Sequence, residues 1–305
     1  MPQIFVLHEN PEWLIPFSDA FNNRGEEFEN WNLKSTSLDL SSLPPEGVFY
    51  NRMSASSHTR GNRFSPEITS VVLGWLEDNG RRVINSNRAL HLELSKSAQI
   101  TALQASGVPV PHTIAATSSL EILDAAKKLT PKPLIIKPNR GGKGLGVKLF
   151  TDHSILQELV LENALGKSVD GITLVQEYIA PVSGNITRAE FIAGEFHYAV
   201  QVNASNGFEL CPADTCAINN EDQQFKFNII PDISKKLKNK IKLFLSENGI
   251  EIAGVEFTTD ENGNDFVYDV NTNTNYNKPA ELIAGKNAPQ ALVDFLINER
   301  NQIYS

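Results

Sequence analysis

The chain has 305 residues, 41% of them hydrophobic, and a formal net charge of −9 at pH 7. This length can bury an ample core and suggests two or three domains or one large α/β unit, and the acidic balance argues against general binding to nucleic acid or to an anionic membrane. The N-terminal residues resemble a first strand without a basic run, and no apolar run approaches the roughly 20 residues of a membrane helix, so we expect a cytoplasmic protein. Cys211 and Cys216 are too few for a disulfide framework.

The first third of the chain predicts a small parallel α/β domain. Its strand candidates are residues 4–7, 47–50 and 82–85. The second of these strands leads directly into Arg52, and ligands of such domains bind at the carboxyl ends of the strands. Arg52 is therefore a candidate for binding a carboxylate or a phosphate, with Arg60 and Arg63 in the following polar stretch as alternatives.

A glycine-rich loop dominates the middle of the chain. Residues 134–136 form an apolar run that delivers Lys137 to a strand end, and four glycines follow: Gly141, Gly142, Gly144 and Gly146. Glycine lets the backbone approach a ligand and turn its N–H groups towards anionic oxygens, and Arg140 and Lys143 add positive charge. The loop predicts phosphate binding, but neither a Walker A loop nor a dinucleotide fingerprint, and a plain surface hairpin is the alternative.

Helices and strands surround this loop. The predicted helices are 92–106, which carries Lys96, then 120–129, 155–165, 233–248 and 289–300. A strand is expected at residues 172–179. Residues 186–192 alternate, so Arg188 and Glu190 should share a face.

A hairpin near the C-terminus offers metal ligands. Two alternating runs flank the turn at residues 260–264, and Glu256, Asp269 and Asn271 can share one face. Two carboxylates and an amide oxygen suit Mg²⁺ or Mn²⁺. The alternative is a polar face on a solvated hairpin.

The order of these motifs resembles the ATP-grasp superfamily, and most of all its RimK-like ligases of the glutamate ligase and glutathione synthase type. The likeness covers roughly residues 80–280. It implies an α/β (α+β) ATP-grasp fold with an N-terminal Rossmann-like domain at 1–91, a central subdomain with the glycine loop as lid at 92–178, and a C-terminal subdomain with the metal site at 179–305. The nucleotide would lie between two lobes.

The resemblance also implies roles for individual residues. The nucleotide contacts would be Lys96, Lys137, Gly141, Gly142, Lys143, Gly144, Gln176, Glu177, the backbone of Tyr178 and Ile179, and Asn203. The residues at the reaction centre would be Arg188, Arg52 and Asn273, and the metal ligands Glu256, Asp269 and Asn271. The chain departs from the family pattern at Ile186, where relatives carry Asp, in segment 201–216, which lacks their arginines, and at Asp269, where Glu is usual.

The function implied is an ADP-forming carboxylate–amine ligase that uses ATP and Mg²⁺ on an amino acid or peptide. The acceptor could be a free molecule or part of a peptide or protein, and the sequence is compatible with a homo-oligomer. Two alternatives remain: a small-molecule kinase on the same scaffold, and a nucleotide-binding regulatory module without turnover.

Overall fold

The computed structural model describes residues 3–142, 144–166, 168–203 and 227–304. The first of its three sheets is parallel, with the order β2-β1-β3-β4. Its strands are β1 (Gln3–His8), β2 (Glu29–Asn32), β3 (Gly47–Asn51) and β4 (Arg82–Ile84), and helices α1 (Ile15–Asn22) and α2 (Ser65–Asp78) lie between them in sequence. The expected parallel α/β unit is therefore present. The short, largely exposed β2 was not predicted.

The second sheet is antiparallel and carries the glycine loop. Its strands are β5 (Thr113–Ala116), β6 (Leu134–Pro138), β7 (Lys148–Phe150) and β8 (Thr173–Glu177), in the order β5-β8-β6-β7. Helices α5 (Ser119–Leu129) and α6 (His153–Leu161) bury an apolar cluster against it. The loop thus joins β6 and β7, as the strand–loop–strand pattern predicted.

The third sheet is antiparallel and carries the acidic hairpin. Its strands are β9 (Asn185–Ile192), β10 (Glu195–Asn203), β11 (Phe227–Ile230), β12 (Ile252–Thr259) and β13 (Asp265–Asn271), in the order β11-β10-β9-β12-β13. Helix α7 (Lys235–Glu247) lies between β11 and β12 in sequence, and α8 (Lys278–Ala284) and α9 (Ala288–Tyr304) follow β13. Helix α9 packs back on β1 and β3 through buried Leu292 and Leu296, so the C-terminus completes the core of the first sheet.

The predicted single helix at residues 92–106 is wrong, because the chain forms two helices there. They are α3 (Asn87–Leu94) and α4 (Lys96–Ala105). Between them Ser95 is extended, with φ −136° and ψ 101°, and its hydroxyl accepts the N–H of Ala98 as an N-cap. The break makes Lys96 the first residue of α4. No helix in the described ranges is both long and apolar enough to span a membrane.

Candidate active site

A cleft of about 400 Å³ lies between the second and third sheets. This is the size of a typical small-molecule site. From the second sheet it is lined by Lys137, Gln176 and Glu177 together with the glycine loop, and from the third by Glu256, Asp269 and Asn271. The two motifs that sequence alone could only place far apart therefore face one another.

Two lysines form the cationic end of the cleft. Lys137 is only 5% exposed, and its ammonium lies 3.3 Å from the carbonyl oxygen of Tyr268. Burial, with the neighbouring charge of Lys96, lowers the pKa of Lys137 to about 8. Lys96 is more exposed, with 13% of its side chain accessible, and its ion pair with Asp269 outweighs the effect of burial and raises its pKa. Lys137 is thus a cation without a carboxylate ion pair among the described residues.

The acidic hairpin lies opposite. Glu256 pairs with Asp269 across β12 and β13, and Gly254 with Asn271, which brings the three candidate metal ligands to one end of the cleft. The Asn271 amide lies 3.4 Å from a Glu256 oxygen. Burial raises the pKa of Glu256, whereas Lys96 and Lys137 overcome the effect of burial on Asp269 and lower its pKa.

These ligands fit a hard divalent cation. They offer two carboxylates and an amide oxygen, and protein cations now hold both acids: Lys96 binds Asp269, and Arg188 lies 2.8 Å from Glu256. Mg²⁺ commonly takes one or two carboxylates and leaves its other positions to water and phosphate. No group of three His, Cys, Asp or Glu side chains suited to a metal occurs in the described ranges, so a metal here would need the asparagine.

The end of β8 forms another part of the cleft wall. Gln176 and Glu177 line it, but both side chains have protein partners: Gln176 donates to Thr113, and Glu177 accepts the N–H of His112 and the ammonium of Lys132. Burial raises the pKa of Glu177, but these contacts outweigh it and the net shift is downward. Tyr178 and Ile179 also line the cleft, where the Tyr178 N–H donates to the Pro133 carbonyl oxygen. That N–H is thus already used by the sheet.

The glycine loop lies against the N-terminal part of the chain. Gly141, Gly142 and Gly144 line the cleft, and a Cβ added to Gly142 would lie 3.3 Å from the Cβ of Ser56. Arg140, predicted as a phosphate cation, instead forms an ion pair of 2.9 Å with Glu67 at the start of α2. Lys143 lies outside the described residues.

Asn139 joins this loop to α4. Its carbonyl oxygen and side-chain oxygen accept the N–H groups of Lys96 and Ser97, at 3.2 and 2.7 Å. It therefore binds two of the backbone donors that a helix N-terminus leaves unpaired. Through this contact the strand that carries Lys137 is fixed to the helix that carries Lys96.

A second cavity of about 60 Å³, here called the polar pocket, adjoins the cleft. Arg188 lines it and is nearly buried, with its guanidinium bound to Glu190 at 2.7 Å and to Thr274 at 2.6 Å, besides Glu256. Asn273 lines it as well. Arg188 and Asn273 are thus brought next to the candidate metal ligands, and the predicted shared face of Arg188 and Glu190 is present.

Arg52 is fully buried and lines neither cavity. Its guanidinium donates to the side-chain oxygens of Asn273 and Asn275 and to the carbonyl oxygens of Trp13 and Thr274, and it lies over the ring of Phe17. Burial lowers its pKa. Its contacts organise the wall of the polar pocket from behind.

Other predicted residues lie elsewhere. Asn203 ends β10 opposite Asn185, is exposed, and does not line the cleft. Arg60 is bound to Glu9 and Arg63 to Glu67, so these arginines make protein ion pairs.

Thr258 and Glu93 line the cavities and were missed from the sequence. Thr258 lines the cleft opposite Ile186, and its buried hydroxyl has no hydrogen-bond partner in the described part of the chain. Thr258 lies two residues after Glu256 on a strand, and this spacing predicts that both side chains lie on the same face of the sheet. Glu93 lines the polar pocket, and burial raises its pKa. Its predicted place inside a long helix hid it.

No family model matches the chain. A probable alpha-L-glutamate ligase of Desulfotalea psychrophila is 28% identical over 193 residues, which are 62% of this chain and 41% of that protein. The chain thus spans less than half the length of this curated relative.

Solved structures match over nearly the whole chain. The ATP-grasp ligase PsnB, complexed with a minimal precursor, Mg and ADP, aligns with a TM-score of 0.69 at 16% identity, over 97% of both chains. A RimK domain ATP-grasp protein from Sphaerobacter thermophilus aligns with a TM-score of 0.67 at 18% identity, over 96% of this chain and 98% of that one. At such identities the likeness establishes the fold.

Proposed function

Because this chain has the ATP-grasp fold and resembles RimK-like ligases, we propose that it is an ADP-forming carboxylate–amine ligase for an amino acid or a peptide. The observation that carries the proposal is the meeting of Lys96, the buried Lys137 and the acidic hairpin in the cleft, beside the polar pocket. Such a cleft can hold a polyphosphate and present its terminal phosphate to a second ligand. A peptide substrate is suggested by the precursor bound to PsnB.

Different residues of the cleft would bind the phosphates of ATP and the metal ion. Lys137 and Lys96 would neutralise phosphate oxygens, and the N–H groups of the glycine loop would donate to them. Glu256, Asp269 and Asn271 would hold Mg²⁺, which when bound neutralises phosphate charge and aids departure of ADP. Phosphates arriving near Lys96 would compete with Asp269 for its ammonium, so nucleotide and metal binding should support one another.

Arg188 would act at the reacting atoms. A carboxylate oxygen of the first substrate attacks the γ-phosphorus of ATP, and the bond from this phosphorus to the β,γ-bridging oxygen breaks. The products of this step are an acyl-phosphate and ADP. The amine of the second substrate, after losing a proton to water, attacks the acyl carbon. The bond from that carbon to the phosphate-bearing oxygen breaks, phosphate departs with that oxygen, and the nitrogen loses its remaining extra proton to solvent to give the amide. Arg188 is a fixed positive charge at the edge of the polar pocket, where oxygens gain negative charge in both steps. No protein nucleophile is needed, because ATP activates the carboxylate.

The domain division at 1–91, 92–178 and 179–305 is part of this proposal. Each range contains one of the three sheets, which supports the boundaries. The cleft would then lie between the central and C-terminal subdomains.

Mass spectrometry tests the proposal. The purified protein is incubated with Mg-ATP and a pool of amino acids, small peptides and metabolites, alongside a Lys137→Ala variant. We expect ADP, phosphate and a product equal to two pool members minus water, all absent from the variant. A product with one added phosphoryl group would instead identify a kinase, and ATP binding without any product from complete pools would identify a module without turnover.

A further inference from the structure

The polar pocket opens where the cation pair and the acidic hairpin meet, since Lys96, Gly142 and Asp269 line both cavities. One water needs about 10–15 Å³ of such space, so about 60 Å³ accommodates the head of a small molecule. A group bound there would lie beside the terminal phosphate of a nucleotide in the cleft. The chemistry of its walls therefore indicates what the second ligand is.

Glu93 lines the pocket and makes no ion pair with any described residue. Its carboxylate accepts the N–H of Thr272 at 2.7 Å, the hydroxyl of Thr272 at 3.2 Å and the N–H of Ala55 at 3.3 Å. The nearby cation, Lys96, is bound to Asp269. Glu93 also lies in the last turn of α3, where the helix dipole disfavours negative charge. An anion kept in such a place is poised for a cation that the chain itself does not supply.

Asn273 and Asn275 also line the pocket, and Arg52 fixes which way their amides face. Arg52 can only donate hydrogen bonds, and it lies 2.9–3.1 Å from the side-chain oxygens of both asparagines. Their NH₂ groups must therefore face away from Arg52, and within the described ranges neither is recorded as donating to a protein acceptor. Because both residues line the polar pocket, they present donors to it.

We infer that Glu93 binds the ammonium group of the acceptor substrate, while Asn273 and Asn275 donate to an oxygen of the same molecule. An ammonium beside a carboxylate or carbonyl oxygen is the pattern of an α-amino acid or of a peptide N-terminus. A simple alcohol would leave Glu93 without a cation, and a dicarboxylate without an amine would meet its negative charge. This inference rests on the proposed ligase function and specifies its amine substrate. Arg52 is then a positioning residue, acting through the two asparagines.

Direct binding separates this inference from the ligase proposal. The protein with bound ADP and Mg²⁺ is titrated with each of the twenty amino acids and with a set of dipeptides, followed by ligand-detected NMR. Variant Glu93→Gln keeps the shape and one acceptor for Thr272 but loses the charge. The matched control is Glu281→Gln, since Glu281 is also a buried carboxylate that accepts a backbone N–H, from Ala288, and it lines neither cavity.

We expect at least one amino acid or dipeptide to bind the wild type and the Glu281→Gln control equally, and Glu93→Gln about 10-fold or more weakly, since hydrogen bonds to charged groups are the strong ones. ADP affinity should be the same in all three proteins. The 2-hydroxy analogue of that ligand, which lacks the ammonium, should bind wild type and Glu93→Gln alike.

Equal amino acid binding by wild type and Glu93→Gln would overturn the inference, as would a panel in which nothing binds. If the ligand binds through Glu93 but adding Mg-ATP and the pool of carboxylate substrates yields no ADP, the ligase proposal fails while the binding role of Glu93 stands. In a turnover assay, the inference requires that Glu93→Gln raise KM for the acceptor far more than it lowers kcat. A purely structural role would lower stability without this split.

Discussion

Replacing Lys137 by methionine should make the protein more stable and its nucleotide binding weaker. Burial lowers the Lys137 pKa from 10.5 to about 8, so at pH 7 the native state bears the cost of a buried ammonium. By linkage that cost is about 3 kcal/mol. Loss of the 3.3 Å hydrogen bond to the Tyr268 carbonyl oxygen destabilises the variant by about 1 kcal/mol, which offsets part of this gain. Methionine fills a similar volume to lysine. We expect a net gain of about 1–3 kcal/mol in the free energy of unfolding at pH 7.

The pH dependence of this gain has a definite sign. The native pKa lies below the unfolded one, so between pH 8 and 10.5 the unfolded state holds more protons and wild-type stability rises with pH. The methionine variant lacks the pH dependence that comes from Lys137. The excess of its free energy of unfolding over that of the wild type should therefore shrink to below about 1 kcal/mol at pH 10. Meanwhile its Kd for Mg-ATP should rise about 10–150-fold at pH 7, the loss of a hydrogen bond to a charged group.

Urea unfolding at pH 7 and pH 10 and calorimetric titration with a nonhydrolysable ATP analogue measure both effects. Lys148→Met serves as control, because within the described ranges the Lys148 ammonium donates only to the Ala164 carbonyl oxygen, and Lys148 lines neither cavity. A variant that is less stable than wild type at pH 7 and binds nucleotide normally would refute the reasoning, since Lys137 would then be a structural lysine.

Three further substitutions probe the site. In Gly254→Ala the new Cβ would lie 2.7 Å from Cζ of Arg188, so the guanidinium must move; we expect kcat to fall about 100-fold with nucleotide affinity kept, and an unchanged kcat would contradict the role of Arg188. Asp269→Asn should raise the Mg²⁺ concentration for half-maximal ADP formation about 10-fold or more, and removal of metal with EDTA should abolish activity; an unaltered Mg²⁺ titration would exclude Asp269 as a ligand. Arg52→Lys removes several donors at once, so stability should fall about 2–3 kcal/mol in urea unfolding and the acceptor KM should rise; wild-type values for both would show that Arg52 positions nothing.

The sequence predicted those features that depend on neighbours along the chain. Strand alternation placed Glu256, Asp269 and Asn271 on one hairpin face, and the glycine spacing placed a loop between β6 and β7. The order of motifs predicted the ATP-grasp fold and the resemblance to RimK-like ligases, and both predictions are confirmed. Each of these motifs can be recognised from neighbouring residues alone, and the order of the motifs along the chain can be read directly from the sequence.

Features set by distant contacts could not be predicted. Arg52 and Asn273 are 221 residues apart in sequence, and only the folded chain shows that the arginine donates hydrogen bonds to the asparagine instead of binding a ligand. Ser95 breaks a helix because its hydroxyl caps α4 while Asn139 from the glycine loop binds the next N–H groups, and helical periodicity carries no sign of that partner. The same break turned Glu93 into a pocket residue.

The most direct test of carboxylate activation by ATP uses oxygen isotopes. The protein is incubated with Mg-ATP and amino acids or peptides whose carboxyl groups carry ¹⁸O, and the released phosphate is analysed by mass spectrometry. An acyl-phosphate route transfers one labelled oxygen from the carboxylate to phosphate in each turnover, and we predict phosphate with a single ¹⁸O. Unlabelled phosphate formed alongside an amide product would contradict the account.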